Sequence, residues 1–289
     1  MMAGEMSVSK SYDLVIAYRI YPGISKIPPV FSDNKLKLSE LCVISFKEAL
    51  NNLNFKIYAI LDNCPAEYIE LFKYYFPKDN LEIISLPKTG NAGTFGLQIQ
   101  LLLEQNHSDY VYFAEDDYFY LPNTFQEMLS FIKNDDVDFV SPYDHPDYYN
   151  LELHNYKYQT KKTLNIEWRT SGSTCMTFLT KKSTLEKTQK LFRTYTRNNY
   201  DASIWLALTR ERINDISFLF REGLKNKLYQ RILLKAFFFS PFRFFYGKRW
   251  KLWTPVPSLA THMDSEHLAP AIDWNKLFQN SKEKLIFSH

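Results

Sequence analysis

The sequence Tyr110-Val-Tyr-Phe-Ala-Glu-Asp-Asp-Tyr-Phe-Tyr-Leu-Pro122 runs from an apolar segment straight into three consecutive carboxylates. Its first five residues have the character of a buried strand, so the carboxylates stand at the strand's carboxyl end. Because side chains alternate along an extended backbone, we expect Glu115 and Asp117 to point the same way. Two carboxylates at that spacing suit a hard divalent cation shared with substrate phosphates. The alternative is an acidic turn that only caps the helix after Pro122.

Short apolar runs and amphipathic stretches alternate on both sides of this segment. The predicted strands cover residues 13–18, 55–61, 81–84, 110–114 and 137–140. The predicted helices cover residues 36–50, 66–76, 91–104 and 124–133. Strands separated by helices indicate βαβ units, so we expect an α/β fold with a mostly parallel sheet flanked by helices. Ligands of such sheets bind beyond the carboxyl ends of the strands.

Composition narrows the class of protein. The 289 residues carry 35 Lys and Arg against 32 Asp and Glu, a net charge of +3, which is too mild for a surface that follows nucleic acid throughout. With 45% hydrophobic residues the chain supports a buried core and is not wholly disordered. Its 23 Phe, 20 Tyr and 5 Trp are compatible with sugar, base or membrane-interface contacts without choosing among them.

The sequence resembles the GT-A-fold, nucleotide-sugar-dependent glycosyltransferases, similar to the broad bacterial family 2 type. The resemblance covers most of residues 12–140, and its most specific motif is 115–117, in the place of the family's Asp-x-Asp. Glu115 replaces the first Asp and keeps the carboxylate. The resemblance implies Mn²⁺ or Mg²⁺ bound by Asp117, with Glu115 or Asp116 holding the ribose or the donor sugar.

The resemblance extends to the ends of the earlier strands. Tyr18 and Arg19 fall in the first strand and the nucleotide-binding loop of residues 13–22. The position of Asp62 implies contact with the nucleobase or ribose. Lys88 and Asn91 lie in a stretch similar to the family's Asn-x-Gly helix start beside the donor, although an ordinary tight turn before a helix also explains it.

In the second half of the chain, single short segments and single residues carry the predictions. A strand is predicted at 174–179 and helices at 185–194 and 202–212. Asp201 precedes an apolar helical run, where an Asp serves as an N-cap; the family resemblance implies a general base there, and the two roles are compatible. Trp205 is either a platform for sugar stacking or a core aromatic.

A late polar loop offers a further metal ligand. The resemblance implies that His262 completes the metal site, while His267, Asp264 and Glu266 are lesser candidates. No Cys or second His has the spacing of a structural zinc site. Residues 143–146 and 168–173 are predicted to be loops on the acceptor side.

Residues 221–251 combine nine Lys or Arg with one acid, Glu222, and six Phe lie between Phe237 and Phe245. Leu224, Leu228, Ile232 and Leu233 alternate with basic residues, as in an amphipathic basic helix lying in the interface of an anionic leaflet. Packing of the Phe cluster on the core or on a second subunit is the alternative.

These observations predict a domain at 1–220, with a nucleotide-binding half at about 12–140 and an acceptor half at about 141–220. A basic aromatic segment at 221–255 and a tail at 256–289 that returns to the active site follow. The expected function is metal-dependent sugar transfer from a nucleotide-sugar to a glycan or lipid-linked glycan, with inversion of the sugar carbon expected and retention as the alternative. Two alternative functions stay open: a catalytically inactive carbohydrate-binding protein and, less favoured, a basic-aromatic nucleic-acid binder. Nucleic acid is not an expected partner.

Sequence features also predict the location of the protein. Cys42, Cys64 and Cys175 form no CxxC pair and indicate reduced thiols. Residues 1–10 lack the apolar core of a secretory signal, and no run of 18 apolar residues occurs. We expect a cytoplasmic protein. Peripheral attachment to the inner face of the membrane is compatible with this location.

Overall fold

A computed structural model describes residues 12–24, 26–163, 165–213, 215–223 and 225–286. The strands are β1 (Leu14–Ile20), β2 (Phe55–Asp62), β3 (Leu81–Leu86), β4 (Tyr110–Glu115), β5 (Tyr118–Tyr120), β6 (Phe139–Val140), β7 (Thr160–Lys162), β8 (Glu167–Ser171), β9 (Phe178–Lys181), β10 (Leu252–Val256) and β11 (Ala260–His262). The helices are α1 (Lys35–Leu50), α2 (Ala66–Tyr75), α3 (Gly90–Glu104), α4 (Thr124–Ile132), α5 (Asp147–Asn150), α6 (Lys182–Phe192), α7 (Asp201–Thr209), α8 (Ile216–Phe218), α9 (Lys227–Phe239) and α10 (Trp274–Lys282).

One large sheet organises the molecule, with strand order β3-β2-β1-β4-β9-β6-β10-β8-β7. The strands β3, β2, β1 and β4 are all parallel. Beyond β4 the sheet becomes mixed: β9 is antiparallel to both β4 and β6, whereas β10 is parallel to β6. The carboxyl ends of β1, β2 and β4 therefore share one edge of the sheet. The predicted α/β fold, a sheet flanked by helices with a basic aromatic helical segment, is confirmed.

The central strand β1 is buried on both faces. Leu14, Ile16 and Tyr18 belong to a hydrophobic cluster with α1 and α2. Val15 and Ala17 belong to a second cluster with α3 on the other face. This explains why the strand reads as a continuous apolar run, since helices cover a parallel sheet on both sides.

The boundaries of the early elements agree with the sequence prediction within two residues, but the second half differs. The strand predicted at 174–179 is β9, which begins only at Phe178. The helix predicted at 202–212 is α7, which ends at Thr209 because Arg210 has a left-handed backbone with φ of 58°. Short segments with mixed partners are set by tertiary contacts more than by local pattern.

The C-terminal region is built into the same fold. β10 lies between β6 and β8 in the main sheet, so the boundary predicted at residue 255 falls within a strand. β11 pairs with β5 in a second, two-stranded sheet. Within the described residues, no helix combines the length and apolar character needed to cross a bilayer.

Trp205 lies on α7 and is fully buried. Its indole packs edge-to-face on Phe139, Phe178 and Phe192, with ring centroids 5.2, 5.0 and 5.4 Å away. The interpretation of Trp205 as a sugar-stacking platform is therefore wrong, because no face of the ring is open to a ligand.

We expect Trp205→Ala to lower the free energy of unfolding by about 3–5 kcal/mol, because it removes a buried indole and leaves a cavity. Urea denaturation measures the loss. Tyr74→Ala is the control, since Tyr74 is an exposed aromatic on α2 and its loss is expected to cost about 0.5 kcal/mol or less. Equal losses in the two variants would contradict the core assignment.

Candidate active site at the acidic strand end

A cavity of about 340 Å³ opens where β1, β2 and β4 end and α3 begins. Seven of the predicted site residues line it: Arg19, Asp62, Lys88, Asn91, Glu115, Asp116 and Asp117. A larger groove of about 650 Å³ surrounds Tyr12 and His107 and is lined by none of the predicted site residues. The cavity at the strand ends is therefore the candidate site.

The three carboxylates of the acidic segment engage three different partners. β4 ends at Glu115, and Asp116 and Asp117 form a turn that leads into β5. We expected Glu115 and Asp117 to point the same way because side chains alternate along a strand. The strand ends at Glu115, so this argument does not apply to Asp117.

Glu115 is held by Arg19 and Thr177. The Arg19 guanidinium forms an ion pair with Glu115, and Thr177 Oγ1 donates a hydrogen bond of 2.8 Å to the other carboxylate oxygen. Arg19 also donates to the backbone oxygen of Asn91 over 2.8 Å and to the Asn91 side chain. Burial alone would lower the pKa of Arg19, but the charge of Glu115, its hydrogen bond to Arg19 and the nearby Tyr195 and Asp117 together raise the pKa. Arg19 therefore joins β1, β4 and the start of α3.

Asp116 is paired with Lys35, a residue that the sequence analysis did not single out. The distance from Lys35 Nζ to Asp116 Oδ2 is 2.7 Å, and the Tyr21 amide donates to the same oxygen over 3.3 Å. Burial raises the pKa of Asp116, and the Lys35 charge opposes that rise. A signal for Lys35 was present: Asn34 is a typical N-cap residue, and the first helix after β1 begins at the ligand-binding edge.

Asp117 lies beside His262, which β11 carries to the acidic turn. The distance from His262 Nε2 to Asp117 Oδ2 is 3.0 Å, and the other oxygen, Oδ1, is buried and has no hydrogen-bond partner among the described residues. Burial opposes ionisation of Asp117, but His262 and nearby cations hold the pKa of this carboxyl below its usual value. Because Asp117 also lines the cavity, this oxygen is placed where a ligand could satisfy it.

Asp117 can supply one ligand to a cation, and His262 can supply a second when its imidazole is neutral. Burial opposes a proton on this ring, but the charge of Asp117 raises the pKa of His262, so a cation bound there would replace the proton. Among the described residues, no group of three or more His, Cys, Asp or Glu side chains is arranged to hold a metal ion. A hard divalent cation with few protein ligands takes its remaining oxygens from water and substrate phosphates. The buried Oδ1 of Asp117 fits that kind of site.

Asp62 organises the beginning of α3. Its two carboxylate oxygens accept hydrogen bonds from the amides of Thr89, at 2.5 Å, and Gly90, at 2.7 Å. Gly90 has a φ of 81°, a backbone conformation that favours glycine. The carboxylate of Asp62 thus caps the helix. The contact with the nucleobase or ribose that was predicted for it stays a prediction.

The structure does not place Tyr18 in the cavity. Its side chain is 1% exposed and packs edge-to-face on Phe46 and Phe72. Alternation along β1 explains this, because Tyr18 faces α1 and α2 while the next residue, Arg19, faces α3. The expectation that the Tyr18 side chain binds a donor is therefore corrected.

Asp201 lies at the first position of α7 and lines a second cavity, of about 140 Å³. Tyr200 takes the N-cap position, and Asp201 Oδ1 accepts a hydrogen bond of 2.7 Å from the Ala202 amide. Burial raises the pKa of Asp201, and the negative charge of Glu115 adds to the rise. The carboxylates of Asp201 and Glu115 therefore interact electrostatically, although they line different cavities.

The other predicted acceptor and metal residues form internal pairs. Arg169 makes a buried ion pair of 2.5 Å with Asp144. Residues 168–171 belong to strand β8, although a loop was predicted there. His267 Nδ1 lies 2.9 Å from Asp264 Oδ2, so these two lesser metal candidates engage each other.

Three solved structures are similar to this chain. The galactosyltransferase LgtC, in complex with donor and acceptor sugar analogues, has 11% identity and a TM-score of 0.44 over 94% of this chain and 96% of its own. S. aureus TarS (residues 1–349) has 16% identity and a TM-score of 0.42 over 78% of this chain and 72% of its own. A protein described as a nucleotide-diphospho-sugar transferase, from Desulfovibrio desulfuricans, has 13% identity and a TM-score of 0.40 over 78% and 98%.

At these TM-scores and identities, the similarities do not assign an activity to the chain. No protein-family model matches the sequence, and no curated protein matches it.

We expect Asp62→Ala to lower the free energy of unfolding by about 1–2 kcal/mol, because two amides at the start of α3 lose their acceptor. Asp62→Asn is expected to cost less, since the amide oxygen still accepts one hydrogen bond. Chemical denaturation measures both variants. An unchanged stability of Asp62→Ala would contradict the capping role.

Proposed function

We propose that this protein is a metal-dependent glycosyltransferase that moves a sugar from a nucleotide-sugar donor to a glycan or lipid-linked glycan acceptor. The observation that carries the proposal is the Asp117–His262 pair, with its partnerless buried oxygen, at the ligand-binding edge of a parallel sheet.

The donor occupies the cavity of about 340 Å³. Lys88 is exposed on its wall, where its charge suits a diphosphate, and Asn91 offers a side-chain amide at the start of α3. Glu115 and Asp116 have further lone pairs for the hydroxyls of a ribose or a sugar. The cations Arg19 and Lys35 pair with these two carboxylates and hold them in place.

Asp117 and His262 would hold Mn²⁺ or Mg²⁺. When bound there, such an ion would supply positive charge beside the leaving diphosphate. Asp117 suits this role because its pKa is held low, so the carboxylate is ionised throughout the neutral range.

Asp201 is proposed to act as the general base. The acceptor oxygen forms a bond to the anomeric carbon while that carbon's bond to the diphosphate oxygen breaks, and the nucleoside diphosphate leaves. The hydroxyl proton passes to Asp201, and attack from the face opposite the leaving group inverts the configuration. Burial raises the pKa of this carboxyl, which makes it a stronger base than an exposed aspartate.

We expect Asp117→Asn to lose metal-supported nucleotide binding while the fold is retained, because the substitution removes the charge and keeps the shape. Calorimetry with Mn²⁺ and a panel of nucleoside diphosphates measures the binding. Asp109→Asn is the control, since Asp109 lines the groove away from the site. Nucleotide affinity that is the same with and without Mn²⁺, in wild type and Asp117→Asn alike, would rule out the metal assignment.

We expect Asp201→Asn to bind metal and nucleotide normally and to lower kcat by about 10²- to 10⁴-fold, the range for a lost general base. Turnover is measured with the donor identified by a nucleotide-sugar screen. Asp79→Asn, at an exposed turn, serves as the control. A change in donor affinity with unaltered kcat would show that Asp201 is not the base. Donor binding without transfer in the wild type would favour an inactive carbohydrate-binding protein.

A further inference from the structure

One face of helix α9 packs against the protein, and the opposite face is exposed in the described structure. Tyr229, Ile232 and Ala236 are buried and belong to a hydrophobic cluster with Leu206 of α7. Ser203 Oγ, also on α7, donates a hydrogen bond of 2.9 Å to the backbone oxygen of Ile232. Ile232, which was predicted to face the membrane, packs inside the protein, so that prediction is corrected. Leu224, predicted on the same surface, lies outside the described residues.

The uncovered apolar surface lies at the end of α9 and in the turn that follows. We call it the aromatic tip, and it comprises Leu234 (66% exposed), Phe237 (51%), Phe238 (77%), Phe242 (78%) and Phe245 (69%). An apolar groove of about 640 Å³ runs beside Leu234 and Phe238. Neighbouring large apolar side chains with this exposure mark an interaction surface.

Basic residues border the aromatic tip. Lys227 and Arg231 are exposed on α9, and their spacing places them on the same face of the helix as Leu234 and Phe238. Arg197 is exposed at the edge of the groove. This face of the helix is thus basic at its beginning and aromatic at its end.

The basic residues beside the aromatic tip favour one kind of binding partner over another. In a two-fold contact made by this surface alone, the basic border would meet aromatic rings or other Lys and Arg side chains and would find no acidic partner. An anionic bilayer offers a hydrocarbon interior to the rings and negative headgroups to the Lys and Arg side chains. We infer that the aromatic tip docks this protein on a membrane that contains anionic lipids, with the phenyl rings inserted below the headgroups.

The docking surface adjoins the cavity of Asp201. Leu228, Tyr229 and Ile232 of α9 line that cavity together with Asp201. Lys235 Nζ lies 3.9 Å from the ring centre of Tyr200, the residue that precedes Asp201. Resting on the proposed function, this arrangement brings the general base close to the bilayer and suits an acceptor anchored in lipid.

Vesicle co-sedimentation of the full chain tests the inference. We expect the wild type to sediment with vesicles of phosphatidylcholine and phosphatidylglycerol and to bind much less to phosphatidylcholine alone. Phe238→Ser with Phe242→Ser should weaken partitioning by about tenfold or more. Lys227→Gln with Arg231→Gln should weaken it by about tenfold, on the anionic vesicles only. Tyr74→Ser removes an exposed aromatic outside the tip and should change nothing.

Thermal unfolding and the oligomeric state are measured on the same samples. Equal sedimentation of the wild type and the double Ser variant, or none by the wild type, would overturn the inference. A wild-type dimer that becomes monomeric in the Ser variant, with no vesicle binding, would assign the tip to contact between copies. Vesicle binding needs neither donor nor turnover, so this test and those of the proposed transferase fail independently.

Discussion

The buried guanidinium of Arg19 is the interaction on which the candidate site depends. It ties the carboxyl end of β1 to Glu115 at the end of β4 and to Asn91 at the start of α3. Removing one partner from a buried ion pair leaves an uncompensated charge, which costs far more than an exposed pair contributes. Three elements from distant parts of the sequence are thereby fixed around one cavity, so its carboxylates are arranged before any ligand enters.

Of the four carboxylates that line this cavity in the described structure, three have structural partners. Asp62 caps α3, Glu115 pairs with Arg19, and Asp116 pairs with Lys35. Asp117 differs, because one of its oxygens is buried without a partner. Glu115 and Asp116 therefore organise the local fold, while Asp117 keeps one carboxylate oxygen for a ligand. The helix-capping role considered for the acidic segment is not observed, because Asn123 takes the N-cap position of α4.

The C-terminal region contributes to two surfaces of the molecule. β11 brings His262 to the acidic turn, and α9 packs on α7 beside Asp201. The aromatic tip extends from the end of the same helix α9. One stretch of chain thus couples the proposed chemistry to the proposed docking surface through direct packing, with no separate linker between them.

The sequence by itself determined the α/β class, the early strands and helices, and the edge where polar residues collect, because these follow from local periodicity and from the topology of parallel strands. It also singled out Asp117 and His262 as residues that belong together. Only the tertiary structure decided what each side chain touches: Tyr18 and Trp205 lie in the core, Lys35 neutralises Asp116, and Ile232 faces inward. Such contacts join residues far apart in the chain, and a local pattern carries no information on which distant group will fill the space beside a given side chain.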